Sequence, residues 1–149
     1  MRTIKFRGKD IETGKWVYGF YVCLEDISRN PIDGKERITH RIYTGFADSC
    51  ASQDGYDFSG DWHEIAPETV GQFSSLYDRN KKEIYDGDIL KFADDDTGLI
   101  EVRFVRGVFA FLWQGDLDDE MPINAPTQEW ATIVGNIHDN PELMKGGEK

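Results

Sequence analysis

Apolar and polar residues alternate along much of this chain with a period of two, which is the spacing of β-strands whose successive side chains point to opposite faces. In the stretch KWVYGFYVCLE, five bulky side chains fall on one face: Trp16, Tyr18, Phe20, Val22 and Leu24. The residues between them form the opposite face, which is also fairly apolar. We therefore predict a strand that is covered on both sides.

Shorter stretches on either side follow the same pattern. Ile4 and Phe6 alternate with basic residues, which predicts a short first strand with a basic outer face, and RITHRIY, residues 37–43, predicts another strand. WHEIAPETV predicts a short strand that Pro67 ends, and residues 70–76 predict one more.

The C-terminal half contains the clearest hairpin. LIEVRFV and VFAFLW are rich in strong β-formers and are joined by two residues, Arg106 and Gly107. A strand begins at Ile89, and EWATIVGNI predicts the last strand, whereas YDRNKKEIYDGD predicts polar turns. The fold class that follows is all-β, a curved, barrel-like antiparallel sheet arrangement with at most a short C-terminal helical turn.

The segments between the strands have few apolar residues. Residues 47–61 are rich in Asp, Ser and Gly and have no period, so we predict a flexible loop there, and residues 144–149 predict a frayed tail. The chain shows neither a repeat nor a linker. We therefore expect residues 1–149 to form a single domain.

Composition limits the classes of function. The 17 basic and 28 acidic residues give a formal net charge of −11, which repels phosphate backbones and anionic membranes, so nucleic acid is an unlikely partner. Two cysteines, Cys23 and Cys50, do not make a disulfide scaffold, and neither a signal-peptide pattern nor a membrane-spanning apolar run is present. We expect a protein of the bacterial cytoplasm that does not act at a membrane.

The pair of carboxylates in NKKEIYDGDILKF is the strongest chemical signal. Asp86 and Asp88 flank Gly87, and residues two apart on an extended strand point to one face, as a catalytic pair would require. However, Asx-Gly sequences are typical of tight turns. We predict a turn that feeds a strand, with Asp88 accepting backbone N–H bonds.

Metal and nucleophile chemistry have weaker support. The sequence DWHEI brings Asp61 and Glu64 close to His63, and a metal-assisted hydrolase would combine Asp61 and His63 with Asp86 or Asp88. We favour a partly exposed strand that borders a loop, because on a strand Asp61 and His63 face one way and Glu64 the other. The acidic runs 94–96 and 116–120 lack the ligand spacing of an EF-hand and are interpreted as solvated turns, and neither cysteine has the partner that a thiolate nucleophile needs. We predict no catalytic residue, no metal site and no cofactor.

Aromatic residues make up 13% of the chain, and their positions on alternating strand faces predict core packing rather than base stacking. A weak nucleic-acid contact remains an alternative if the basic residues of the N-terminus share one face: Arg2, Lys5, Arg7 and Lys9.

Three segments resemble the YopX-like family of bacteriophage and prophage proteins: RTIKFRGKDIETGKWVYG, PETVGQFSSLYDRNKKEIYDGDILKF and IVGNIHDNPELM. The middle segment is the most specific, with signature positions at Thr69, Gln72, Phe73, Leu76, Asp78, Asn80, Glu83, Ile84, Tyr85, Gly87, Asp88 and Ile89. The sequence departs from the family pattern at Ser75, where glycine is common, and at Lys82, where an Asn-Gly turn is usual. These departures concern local turn geometry.

The resemblance implies a β-rich protein of phage or prophage origin, in a family without an established activity or cofactor. It supplies no catalytic residues. We expect a non-enzymatic accessory protein that binds an unknown protein partner or associates with itself. Two alternatives are an acidic decoy that mimics nucleic acid on a host protein, and the metal-assisted hydrolase described above.

Overall fold

The computed structural model describes residues 3–26, 37–45, 61–92, 98–113, 116, 120–122 and 130–145. Strands dominate this part of the chain, together with a 3-10 helix at Pro67–Thr69 and a single-turn helix α1 at Glu142–Lys145. Strands β1 to β11 are Phe6–Lys9, Trp16–Asp26, Arg37–Tyr43, Trp62–Glu64, Gly71–Tyr77, Glu83–Tyr85, Asp88–Phe92, Leu99–Val105, Val108–Trp113, Glu120–Pro122 and Ala131–Asn136. The predicted all-β class with a short C-terminal helical turn is confirmed.

The chain divides into two compact units. The N-terminal unit is Lys5–Val70, and the C-terminal unit is Gly71–Lys149 together with Met1–Ile4. That residues 1–149 form a single domain stays a prediction. The division into compact units does not show whether the units fold together or separately.

The N-terminal unit contains an antiparallel sheet with the strand order β4-β3-β2-β1. Ile42 of β3 and Ile65 are buried, and a Cβ added to Gly8 would lie 2.6 Å from Cδ1 of Ile65. The strands therefore bury one face of the sheet against a small aliphatic core. The 3-10 helix is tied to β1, because the hydroxyl of Thr69 accepts a hydrogen bond from the N–H of Lys9 at 2.8 Å.

The C-terminal unit contains a five-stranded antiparallel sheet, in the order β10-β9-β8-β7-β11, and the β5–β6 pair. Its core cluster consists of Ile84, Leu90, Ile100, Val102, Phe111 and Ala131. The predicted hairpin between β8 and β9 is confirmed. Arg106 and Gly107 have φ values of 50° and 84°, as the two central residues of a type I′ turn require.

Two short strands depart from the sequence prediction. Glu83–Tyr85 lies in a segment predicted as polar turns but forms β6, because Ile84 and Tyr85 are buried and supply the apolar contacts that three residues need to pair with β5. Glu120–Pro122 begins at the end of the predicted acidic turn and pairs with β9. Both segments are too short for periodicity to reveal them.

Several predictions fall on other parts of the chain. Residues 47–60 of the predicted loop, residues 146–149 of the predicted tail and the acidic run 94–96 lie outside the described residues. Neither of the described helices has the length and apolar character that crossing a membrane requires.

Candidate functional site

The two carboxylates of the Asp86-Gly87-Asp88 stretch bond to the backbone. Asp88 is buried, and its Oδ2 accepts the N–H of Tyr85 at 2.8 Å. Oδ1 of Asp86 accepts the N–H of Phe104 at 3.1 Å. Gly87 has a φ of 86°, a conformation that suits glycine. The predicted turn with Asp88 as a backbone acceptor is therefore confirmed.

Most of the other signature positions also lie in turns or in the core. Asp78 is the centre of a second turn, since its Oδ1 accepts the N–H groups of Asn80 and Lys82 and its Oδ2 accepts that of Ile133. The carbonyl of Gln72 accepts the N–H of Asp86. Buried or partly buried positions of the set are Thr69, Phe73, Leu76, Ile84, Tyr85 and Ile89. The carboxylate of Glu83 accepts the hydroxyl of Tyr85 at 2.6 Å. These signature positions thus lie in turns and in the core.

His63, the candidate histidine ligand, has a hydrogen-bond partner inside the N-terminal unit. Nδ1 of His63 lies 2.6 Å from Oδ2 of Asp10, and this hydrogen bond, together with backbone N–H groups, lowers the pKa of Asp10 to about 2. Asp61 immediately precedes β4, and its carbonyl accepts the N–H of Thr44. Across the described ranges, no group of three or more His, Cys, Asp or Glu side chains is placed to hold a metal ion. The metal-assisted hydrolase hypothesis therefore gains no ligand set.

Cys23 lies on β2, is exposed and forms no disulfide, whereas Cys50 lies outside the described residues. The register partner of Cys23 on β3 is His40, whose Nδ1 lies 2.6 Å from the hydroxyl of Tyr21. Burial, with a smaller contribution from Cys23, raises the pKa of Tyr21. The imidazole is thus bonded to a phenol, and the contact positions Tyr21 on the sheet.

A different surface of the N-terminal unit has the features of a binding site. Antiparallel pairing places Phe20 opposite Tyr43 and Tyr43 opposite Trp62, so three aromatic residues form a row across β2, β3 and β4. Phe20 is 55% exposed and Trp62 is 54% exposed. Tyr18 and Leu24 are also exposed and lie on the same side of β2, since they are separated from Phe20 by even numbers of residues. We call this surface the aromatic face; it comprises Trp16, Tyr18, Phe20, Val22, Leu24, Tyr43 and Trp62.

Basic side chains border the aromatic face along β1. Arg7 pairs with Tyr18 and Lys9 pairs with Trp16, so both point to the same side as the aromatic residues. The guanidinium carbon of Arg7 lies 4.7 Å from the ring centroid of Trp16, and Nζ of Lys5 lies 5.8 Å from that of Tyr18. Lys5, Arg7 and Lys9 therefore lie on one side of the sheet, with Arg7 only 6% exposed, and Arg2 lies outside the described residues.

The prediction that the aromatic strand is covered on both sides is wrong for this face. Gly19, on the opposite side of β2, is buried, but Tyr18, Phe20 and Leu24 are at least 41% exposed. Period-two alternation identifies the two faces of a strand without showing which one meets the core. One sequence feature could have indicated that this side is exposed: basic residues of β1 lie next to bulky aromatic residues of β2. Core-facing residues seldom have so many charged neighbours.

The comparisons with known proteins concern the family and the fold. A family model described as YopX protein matches residues 5–145, and no curated protein matches the chain. The crystal structure of protein EF1440 from Enterococcus faecalis is similar, with a TM-score of 0.53 and 23% identity over 95% of this chain and 98% of that one. At that identity the likeness shows the fold alone.

The crystal structure of YopX from Bacillus subtilis also matches, with a TM-score of 0.48 and 17% identity, and covers 99% of this chain and all of that one. The family model spans almost the whole sequence, including every signature position from Thr69 to Ile89. The chain belongs to the YopX protein family.

Proposed function

We propose that this protein is a non-enzymatic accessory protein of a phage or prophage, which acts in the bacterial host cytoplasm by binding another protein through its aromatic face. The observation that carries the proposal is the row formed by Phe20, Tyr43 and Trp62, whose two outer members are more than half exposed. Membership of the YopX family supports the phage or prophage origin through what the resemblance implies.

The energetics of the aromatic face favour association. Ring centroids of Tyr43 and Trp62 lie 5.0 Å apart, so the rings support each other and form a firm apolar surface. Contiguous exposed apolar groups with polar residues at their border are typical of interaction sites, and Trp and Tyr are frequent among residues that dominate binding energy. Covering Phe20 and Trp62 would remove a large apolar area from water.

The polar residues support binding over catalysis. Asp78 and Asp88 are almost fully buried and accept backbone N–H bonds, and Asp10 is buried and bonded to His63. Groups committed in this way hold turns and strand ends together. These three carboxylates thus have structural partners, while the aromatic face presents its apolar groups to the outside.

Affinity capture with matched surface variants tests the proposal. The tagged protein is incubated with a lysate of the bacterium that carries the gene, in parallel with the double variant Phe20→Ser and Trp62→Ser. The double variant Val108→Ser and Val134→Ser is the control, because these residues of the C-terminal unit are 50% and 42% exposed. We expect the wild type and the control to retain the same partner and the aromatic-face variant to lose it.

Two outcomes would contradict the proposal. Equal retention by both double variants would show that the partner binds elsewhere. Retention of no protein by the wild type, at a concentration where the tagged protein is folded by circular dichroism, would remove the binding function itself.

A further inference from the structure

We infer that the partner of the aromatic face is a proline-rich protein segment in the polyproline II conformation, which lies across strands β2, β3 and β4 and packs its proline rings on Phe20 and Trp62. This inference rests on the proposed function and specifies the chemistry of its partner. Its basis is the shape of the aromatic row, the spacing of its outer rings and the balance of charge beside it.

The aromatic row has the shape of a shallow groove. Phe20 and Trp62 at its ends are 55% and 54% exposed, whereas Tyr43 between them is only partly exposed. The register places the three residues directly opposite one another on neighbouring strands. Tyr43 thus forms the floor and the two outer rings form the walls. Aromatic-lined grooves of this kind are the surfaces on which proline-rich segments dock.

The distance between the walls matches the repeat of a polyproline II helix. Phe20 and Trp62 lie two strands apart, which is about 9.5 Å at the usual separation of neighbouring strands. A polyproline II helix advances about 9.3 Å in its three-residue turn. Two prolines that are three residues apart in such a segment would therefore meet Phe20 and Trp62 in the same way, one ring on each.

The groove also carries hydrogen-bond donors for the backbone of such a segment. A polyproline II helix has no internal hydrogen bonds, so its carbonyl groups are open to donors on a partner. Tyr43 has a hydroxyl and Trp62 has an indole N–H. The segment is extended before it binds and loses little conformational entropy on binding, so that a shallow surface suffices.

The charged residues on β3 and β4 beside the row balance each other. Arg41 lies directly opposite Glu64, on the same side of the sheet as Tyr43 and Trp62. Register also pairs Arg37 with Asp26 near the far end of the β2–β3 pair. Since the row itself carries no formal charge, an uncharged segment complements it better than a strongly acidic or basic one.

The basic residues of β1 do not change this balance at the row. Lys5, Arg7 and Lys9 already interact within the protein, and Arg7 is buried. Their charged groups lie over the rings of Tyr18 and Trp16, at the border of the aromatic face. The row is therefore the part of the face that is open to an apolar partner.

The segment does not come from a second copy of this chain. None of its five prolines is three residues from another, since they stand at positions 31, 67, 122, 126 and 141. The spacing that matches the row is thus absent from the sequence. The partner that we infer is a different protein.

Fluorescence anisotropy with short labelled probes tests the inference. The probes are a decamer of proline, a flexible decamer of alternating glycine and serine, a decamer of glutamate, and oligothymidylate. We expect the proline decamer to bind, the glycine–serine decamer to bind negligibly, and added salt to change the proline affinity little, because no ion pair is involved. The double variant Phe20→Ser and Trp62→Ser should bind the proline decamer about tenfold more weakly.

Two comparisons isolate the geometry. The double variant Val108→Ser and Val134→Ser serves again as the control and should keep the wild-type affinity. An alanine peptide with two prolines three residues apart should bind about fivefold more tightly than one with prolines two residues apart, because only the first spacing matches the row. Circular dichroism shows whether each variant is folded, and the comparison of the two peptides requires only the wild type.

Four results would overturn the inference: no binding of the proline decamer to the folded wild type, unchanged affinity after loss of Phe20 and Trp62, equal affinity for the two proline spacings, and tighter binding of the glutamate decamer or oligothymidylate. These results are distinct from failure of the proposed function. If the captured partner depends on Phe20 and Trp62 but the proline decamer does not bind, the aromatic face binds a protein segment of different chemistry, and only the present inference fails.

Discussion

At the scale of single residues, the sequence pattern indicated which polar groups hold turns. Asp86, Gly87 and Asp88 form the predicted turn because an Asx-Gly sequence combines a short acceptor side chain with a residue that tolerates positive φ. The long-range acceptor role of Asp78 toward Ile133 was not predictable, since the two are separated by 55 residues. Local sequence specifies local hydrogen bonds but not partners brought together by the fold.

Ser75 provides a prediction at this scale. It has a φ of 71° at the irregularity between β5 and β6, where the YopX family commonly has glycine. A non-glycine residue is strained in this conformation, so Ser75→Gly should raise the free energy of unfolding by about 1 kcal/mol after the entropic cost of glycine. Chemical denaturation of both proteins measures the difference.

The neighbouring serine is the control. The hydroxyl of Ser74 donates to the carbonyl of Ile84 at 2.8 Å in a buried position. Ser74→Gly should therefore lower the free energy of unfolding by about 2 kcal/mol, because it leaves the carbonyl without its donor. A loss of stability in Ser75→Gly would show that the serine is not strained.

At the scale of elements, long alternating segments were predictable and short ones were not. Strand β2, Trp16–Asp26, has enough positions for its period to be recognised, and the β8–β9 hairpin has a two-residue turn between strong β-formers. The three residues of β6 contain less than two periods, and their pairing with β5 depends on the burial of Ile84 and Tyr85. The exposure of the aromatic face was missed because alternation does not distinguish an inner from an outer side.

The close pairing of β2 with β3 can be tested at Gly19. A Cβ at this position would overlap the backbone oxygen of Tyr43, which cannot rotate away as a side chain can. Gly19→Ala should therefore push the strands apart and lower the free energy of unfolding by about 3 kcal/mol. Since Gly19 and Tyr43 adjoin Phe20 and Trp62, the substitution should also weaken capture of the partner.

Gly8→Ala is the comparison. The nearest atom to its added Cβ is Cδ1 of Ile65, at 2.6 Å, which is the flexible end of a side chain. We expect a loss of about 1 kcal/mol, because this atom can shift. Equal losses for the two variants in chemical denaturation would mean that β3 adjusts to the added methyl group.

At the scale of the whole molecule, composition was a poor guide to the candidate site. The formal net charge of −11 is a sum over the chain and does not show where the basic residues of β1 lie. The 13% aromatic content likewise does not distinguish core from surface. Aromatic residues such as Phe73, Tyr85 and Phe111 do pack inside the C-terminal unit, as predicted. Trp16 and Tyr18 of β2 instead lie beside cations, a contact that depends on the register between β1 and β2.

The net charge also predicts the state of association. A net charge of −11 makes copies of the chain repel each other. Size-exclusion chromatography with light scattering should therefore give the mass of one chain at physiological salt, for the wild type and for the Phe20→Ser and Trp62→Ser variant alike. A dimer of the wild type that this variant dissociates would show instead that a second copy covers the aromatic face.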